Sequence, residues 1–103
     1  MEKIQFRPLG EVLEMVQKIG FNISYAYDDL LFSEHNVFIL RFDGLNERNV
    51  WLHFNCDCEQ KTVNTITNQL IIEFLSGDLK LIAGSLFSVQ QIESKEEIEL
   101  TFL

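Results

Sequence analysis

The spacing of apolar residues predicts a first helix at about residues 8–19. Apolar side chains recur every three or four positions, as on one face of a helix, and polar side chains fill the other face. Pro8 suits the first helical position, because its missing N–H would have no partner there. Gly20 follows the last apolar position, where glycine commonly ends a helix. The recurring apolar residues are Leu9, Val12, Leu13, Val16 and Ile19.

After Gly20, apolar and polar residues alternate, which is the period of a β-strand. The first strand is expected over residues 21–32, with a bend or bulge at Asp28-Asp29. Further strands at residues 37–42 and 49–56 are separated from it and from each other by polar turns. These connections are too short for parallel crossovers, so the pattern predicts a three-stranded antiparallel meander.

A second helix is expected after these strands, ending at Gly77. Asp57 is the predicted N-cap, and Gln60, three residues later, would complete a capping box. One side of the helix is apolar and the other is polar, as expected for a helix packed on a sheet. The apolar side consists of Val63, Ile66, Leu70, Ile71 and Phe74.

The last quarter of the chain returns to strand patterns. A short run at residues 79–82 precedes strands at 86–92 and 98–102, with a charged turn between the last two. The element order is therefore α-β-β-β-α-β-β, with room for one further short strand. We predict a single domain over residues 1–103 of the α+β class, with a single antiparallel sheet of about five strands and two helices packed on it.

The composition indicates a folded and strongly acidic protein. Hydrophobic residues make up 47% of the chain, and sixteen Asp and Glu outnumber eight Lys and Arg to give a net charge of -8. A negative field repels phosphate backbones and anionic lipid heads, which disfavours nucleic acids and membranes as partners. The same field attracts a basic protein and speeds its encounter, although acidity also serves solubility alone.

The sequence also favours a cytoplasmic location. Met1 to Pro8 contain no apolar run typical of a signal peptide, and no stretch is long enough to cross a bilayer. Cys56 and Cys58 are separated by one residue, too close for a disulfide that closes a useful loop. Two such cysteines are typical of a reducing compartment.

The cluster Cys56-Asp57-Cys58, with His53 nearby, is the strongest candidate for chemistry. A zinc site needs four ligands, and its cysteines are usually spaced two to four residues apart, so we expect neither a metal nor another cofactor. A remote alternative is a small enzyme that uses Cys58 as nucleophile with a histidine as base. Because Asp57 and Glu59 oppose formation of the thiolate, we expect that the protein is not an enzyme.

Acidic residues collect at the predicted turns and strand ends, where a partner could meet them. They would form one negative face if the last hairpin lies beside the first turn. Trp51 with Tyr25 or Tyr27 could anchor a partner on that face, although a lone Trp more often packs under a helix. The predicted partner-binding residues are Asp28, Asp29, Glu34, Asp43, Glu47, Glu93, Glu96, Glu97 and Glu99.

Size, charge and fold class favour a protein-binding module, by analogy alone. Our first expectation is an immunity protein, which neutralises a basic bacterial toxin domain such as a nuclease by charge-steered binding. The alternatives are a secretion-type chaperone and a self-associating structural protein. We expect a monomer or weak dimer, because no predicted helix is apolar on all sides.

Overall fold

The computed structural model describes the backbone of residues 8–27, 29–92 and 97–103, and their side chains except those of 91, 92, 97 and 98. Within these residues the chain forms two helices and seven strands. The helices are α1 (Leu9–Lys18) and α2 (Gln60–Ser76), and the strands are β1 (Ile23–Tyr27), β2 (Leu30–Ser33), β3 (Phe38–Phe42), β4 (Asn49–Phe54), β5 (Lys80–Ala83), β6 (Phe87–Ile92) and β7 (Glu97–Phe102).

The α+β class is confirmed, but the strands form a mixed sheet and a separate hairpin. The main sheet has the order β1-β2-β3-β4-β5, in which β1 to β4 are antiparallel neighbours and β5 runs parallel to β4. β6 and β7 form a separate antiparallel two-stranded sheet, and Phe87 of β6 also makes an isolated parallel bridge to Asn55, just after β4. The prediction of a single antiparallel sheet is therefore wrong. The helix α2 connects β4 to β5, and such a crossover returns the chain in the same direction.

The predicted first strand, residues 21–32, is two strands joined by a tight hairpin. Tyr27 pairs with Leu30, so only two residues make the turn. Of these, Asp28 lies outside the described residues. The predicted bend is therefore a complete reversal of the chain, because two acidic residues favour a turn over a continued strand.

A bulge at Ser24 sends neighbouring apolar residues of β1 to opposite faces of the sheet. Ile23 pairs with Ser33 and Tyr25 pairs with Phe32, which leaves Ser24 as the extra residue. Ile23 packs against the hydrophobic core under the helices, whereas Tyr25 lies on the other face. Strict alternation would have placed Ile23 and Tyr25 on the same face.

The hydrophobic core lies between the two helices and one face of the sheet. The apolar stripes of the helices meet every second residue of the central strands, as their two periods require. The buried core residues are Val12, Met15 and Val16 from α1, Leu31, Phe38, Leu40, Phe42, Val50, Leu52 and Phe54 from the sheet, and Ile66, Leu70, Phe74 and Leu79 from α2 and the turn after it.

The helix ends are set by local backbone geometry. Helix α1 begins one residue after Pro8, and Gly20 follows it with a φ of 95°, as predicted for a C-terminal glycine. Helix α2 begins at Gln60, and the predicted Asp57 cap is wrong. The Asp57 N–H instead donates to the side-chain oxygen of Asn55 at 2.9 Å, which forms a separate turn before the helix.

The end of α2 is tied to the β3–β4 turn by Arg48. Leu79 N–H donates to the Phe74 carbonyl, and Asp78 has a φ of 57°, a left-handed conformation that ends the helix. Arg48 donates to the carbonyl oxygens of Gly77 and Asp78, where the helix leaves acceptors without internal partners. It thereby links the helix layer to the sheet.

The β6–β7 hairpin is attached to the second face of the sheet through His53. The His53 ring lies 4.7 Å from the Phe102 ring, and its Nδ1–H donates to the Ser85 carbonyl at 2.7 Å. A methyl group on Gly84 would come within 2.4 Å of the His53 ring, so the backbone passes directly over the ring. A residue without a side chain is required there.

We therefore expect Gly84→Ala to lower the free energy of unfolding by about 1–3 kcal/mol, because the His53 ring must move to admit the methyl group. Gly10→Ala is the matched control, since a Cβ at Gly10 meets no atom within 4 Å. It should raise stability by up to about 1 kcal/mol, because alanine lowers the conformational entropy of the unfolded chain. Urea unfolding of both variants measures these changes, and an unchanged Gly84→Ala variant would contradict the close packing.

Candidate functional site

The face of the sheet opposite the helices, here called the open face, carries two rows of side chains across the strands. The first row contains Tyr25, Phe32, Ile39 and His53, and the second contains Tyr27, Leu30, Arg41, Trp51 and Ile82. Ile39 and His53 are buried, whereas Tyr25 and Tyr27 are 57% and 62% exposed. The open face is thus covered near β4 and uncovered near β1.

A cleft separates the β6–β7 hairpin from the β1 end of the open face. The hairpin contacts the sheet at His53 and stands away from it toward β1, leaving a space of about 550 Å³. Both aromatic and aliphatic side chains line this space, together with a few polar groups. The lining residues are Ser24, Tyr25, Phe32, His35, Asn36, Val89 and Leu100. Concave, mainly apolar spaces with a few polar groups are typical of binding sites.

The aromatic side chains beside the cleft are held in place by one another. The Tyr25 and Tyr27 rings stack with centroids 6.2 Å apart and an interplanar angle of 9°. Tyr25 also meets Phe32 edge to face, with centroids 5.9 Å apart. Such contacts restrict the rings before a partner arrives, so less side-chain entropy is lost on binding. Tyr25 and Tyr27 are the tyrosines predicted from the sequence as possible anchors.

Trp51 lies in the second row of the open face, so the alternative that it packs under a helix is wrong. The Arg41 guanidinium lies 5.1 Å from the centre of the Trp51 ring, a cation–π contact. The carboxylate of Asp43 accepts the backbone N–H of Leu45 at 2.8 Å. This hydrogen bond, with weaker ones from Asn49 and Trp51, lowers the pKa of Asp43. Asp43 therefore organises the β3–β4 turn beside the indole.

One end of the cleft is formed by the turn between β2 and β3, which has an unusual backbone. His35 and Asn36 have positive φ angles of 61° and 53°, a region that residues other than glycine seldom occupy. The turn is fixed by buried Ser33, whose Oγ accepts the Phe38 N–H at 3.0 Å. The Asn55 side chain donates to the Asn36 carbonyl at 3.0 Å. These bonds hold His35 and Asn36 at the cleft.

The predicted acidic residues occupy more than one part of the molecule. Asp29, Asp43 and Glu47 lie at the end of the sheet where β2 and β4 begin, and Glu34 lies beyond the other end of β2. Given the rise per residue of a β-strand, the backbones of Asp29 and Glu34 are about 16 Å apart. Glu99 is exposed on β7, and only the backbone of Glu97 is described. Asp28, Glu93 and Glu96 lie outside the described residues.

The two cysteines lie between β4 and α2 as free thiols. Cys56 is exposed, and Cys58 is partly buried in a groove of about 220 Å³ that His35 and Asp57 also line. Burial, and to a lesser degree the charge of Glu59, raises the pKa of the Cys58 thiol. No group of three potential metal ligands occurs among the described residues.

The outer side of α2 is more apolar than expected. Ile71, Ile72 and Leu75 are exposed by 40%, 69% and 73%, and none of them contributes to the core. The helical periodicity predicts Ile71 for the apolar stripe, but Ile71 is 40% exposed and lies outside the core cluster. Exposed apolar groups on one helix face can mark a contact with another protein.

Most cleft residues were not identified from the sequence. His35, Asn36, Val89 and Leu100 come from three separate segments, and their meeting depends on how the hairpin packs against the sheet. Val89 and Leu100 lie in the predicted strands at residues 86–92 and 98–102, but the sequence does not show which surface these strands cover. The only sequence signal was the presence of two tyrosines in a short uncharged strand.

Comparison of the chain with protein-family models, characterised proteins and solved structures finds no match. The helices among the described residues include none that is both long and apolar enough to cross a membrane.

The His53 contacts predict a loss of stability at acidic pH. Arg41 Nε–H donates to Nε2 and Nδ1–H donates to Ser85, so the buried ring is neutral. Burial lowers its pKa from the usual 6.5, and Arg41 lowers it further against the opposing effect of Ser85. The unfolded chain therefore binds the proton more readily, and the free energy of unfolding should fall as pH drops below 6.5.

Urea unfolding between about pH 7.5 and pH 5.5 measures this effect in the wild type and two variants. His53→Gln should remove the part of the acid-induced loss of stability that depends on this histidine. His35→Asn, the matched control, should retain it. An equal pH dependence in the wild type and in His53→Gln would show that protonation of His53 does not destabilise the fold.

The raised pKa of Cys58 predicts that its thiol reacts slowly with electrophiles near neutral pH. In a Cys56→Ser variant near neutral pH, iodoacetamide should alkylate Cys58 no faster than it alkylates an unstructured cysteine peptide, because only the thiolate reacts. The Cys58→Ser variant gives the alkylation rate of the exposed Cys56 for comparison. Unusually fast alkylation of Cys58 would favour the remote enzyme alternative.

Proposed function

We propose that the protein binds another protein at the open face and thereby neutralises a basic partner. The observation that carries this proposal is the cleft beside Tyr25 and Tyr27, an apolar aromatic surface left exposed on a strongly acidic chain. Exposed apolar patches of this kind often mark interaction sites. Tyrosines are common anchors in such sites, because each combines a large apolar area with a hydrogen-bonding group.

Charge supports a cationic partner. The net charge of -8 creates a long-range field that speeds the approach of a basic protein. The proposed binding residues are the acidic set predicted from the sequence, of which Asp29 and Glu34 lie at the two ends of β2 and so flank the open face. Burial of the tyrosines would then provide the short-range part of the affinity.

The biological role that fits this binding best is that of an immunity protein. A bacterial toxin domain that acts on nucleic acid is basic, and an acidic inhibitor can associate with it rapidly. We propose a cytoplasmic location, no enzymatic activity and no cofactor for this role. Secretion-type chaperone activity is the alternative for the same surface, because a chaperone also holds a segment of its partner.

A second candidate is self-association through α2. Ile72 and Leu75 are exposed on one side of this helix, which favours a contact between two apolar surfaces. A solution mass measurement distinguishes the candidates, because a stable dimer that Ile72→Ser and Leu75→Ser together convert to a monomer would favour the structural role.

The proposed binding can be tested by capture from a lysate of the cells that encode the protein. The immobilised wild type should retain a basic protein at about 50 mM salt and release it as salt increases, because screening weakens charge steering. A Tyr25→Ser, Tyr27→Ser double variant should retain about tenfold less, since anchor residues carry most of the binding energy. Mass spectrometry quantifies the retained protein.

Leu45→Ser is the matched control for this capture. Leu45 is 96% exposed in the β3–β4 turn, so the change removes an exposed apolar side chain away from the cleft. Its capture should equal that of the wild type. Loss of capture in both variants, or in neither, would contradict a specific role for the cleft, and the absence of any salt-sensitive basic protein would contradict the proposed function.

A further inference from the structure

Within the described part of the chain, the outer edge of β1 has no partner strand. β1 is the first strand in the sheet order, and only β2 pairs with it. Residues 24–27 are exposed, so this edge is accessible. An edge strand presents backbone donors and acceptors that another extended segment can pair with.

The register identifies Ala26 as the residue whose backbone groups point outward. Phe42 N–H donates to the Asp29 carbonyl, just before β2. The odd-numbered residues of β2 therefore also direct their backbone hydrogen bonds toward β3. The backbone of Leu31 is therefore hydrogen-bonded to β3. It makes no backbone hydrogen bond to Ala26, the β1 residue that lies opposite it. The N–H and carbonyl of Ala26 accordingly face the open edge.

Apart from the bulge at Ser24, β1 lacks the features that usually protect an edge strand. Its sequence, Ile-Ser-Tyr-Ala-Tyr, contains no charged residue and no proline. By contrast, the opposite edge strand β5 begins with exposed Lys80, and β7 contains Glu97 and Glu99. Charged residues on an edge discourage pairing with other chains, so β1 is less protected against strand addition than β5 or β7.

Acidic residues lie at both ends of this unprotected edge. Asp29 follows the Tyr27 end of β1, and Glu34 lies at the other end, where its N–H donates to the Asn22 carbonyl at 2.9 Å. A segment paired with β1 would therefore meet a carboxylate at each end. Opposite charges at both ends of that segment would fix its position along the strand.

We infer that β1 accepts an extended segment of the basic partner as a sixth strand of the main sheet. The segment spans about five residues, alternates apolar and polar side chains, and carries Lys or Arg at both ends. Its apolar side chains extend the row formed by Tyr25 and Phe32, so they lie beside the cleft. This inference rests on the proposed function and specifies the mode of binding.

A second copy of the chain fits the same edge less well. In an antiparallel pairing of two β1 strands, the Tyr27 end of one copy lies beside the Ile23 end of the other. Asp29 of each copy would then approach Glu34 of its neighbour, and like charges facing each other weaken the pairing. A basic segment meets no such repulsion.

Proline substitutions on the two edges of the sheet test the inference. Ala26→Pro removes the outward N–H of β1, and an edge strand tolerates proline where the N–H faces solvent. Ala83→Pro is the matched control on β5. Lys80 and Gly84 donate their N–H groups to the carbonyls of Arg48 and Leu52 at 2.8 Å, so the N–H of Ala83 also points outward. Circular dichroism verifies that both variants are folded.

The probe is a peptide of about nine residues, with alternating valine and threonine between paired lysines. Fluorescence anisotropy should show binding to the wild type and to Ala83→Pro, and at least about tenfold weaker binding to Ala26→Pro. A peptide methylated on alternate backbone nitrogens should bind the wild type at least about tenfold more weakly, which tests the inference even if Ala26→Pro does not fold. A peptide with glutamates in place of lysines should also bind weakly.

The capture assay with these variants separates failure of the inference from failure of the proposed function. Equal capture of a salt-sensitive basic protein by wild type and folded Ala26→Pro, or equal binding of the methylated and unmethylated peptides, would overturn strand addition while leaving the proposed function intact. The absence of such a protein with the wild type would overturn both. A dimer of the wild type that Ala26→Pro converts to a monomer would assign the edge to a second copy and overturn the inference.

Discussion

Burial of the central strand β3 on both of its faces is the constraint on which the structure depends. Phe38, Ile39 and Leu40 are consecutive and all 0% exposed, so apolar groups must cover both sides of the sheet. Each such side chain contributes about 1.5–3 kcal/mol when fully buried. Two helices cover the face that carries Phe38 and Leu40. On the other face, the cover that the described residues provide is a two-stranded hairpin, which lies over the part near His53.

The incomplete cover creates the candidate site. A hairpin is narrower than a five-stranded sheet, so the β1 side of the open face remains exposed together with Tyr25 and Tyr27. The bulge at Ser24 has the same consequence, because it sends Ile23 into the core and both tyrosines to the open face. The filled core and the accessible aromatic surface therefore result from the same packing arrangement.

Charge and apolar surface have different parts in the proposed binding. The acidic residues act over a distance and are spread over both ends of the sheet, whereas the cleft and the β1 edge act only on contact. Arg41 is a local exception, a cation on the open face that contacts Trp51 and His53. Its positive charge is consistent with the proposal that a basic partner binds near β1 and not at the centre of the face.

The sequence by itself determined the two helices, most strands and the α+β class, because local periodicity reports which side of each element is apolar. It also identified Gly20 as a helix end and Tyr25 and Tyr27 as possible anchors. It could not determine the α2 start, because Asn55 captures the Asp57 N–H in a turn. Only the tertiary structure decided the parallel pairing of β5, the separate hairpin and the cleft, because each depends on contacts between segments distant in sequence.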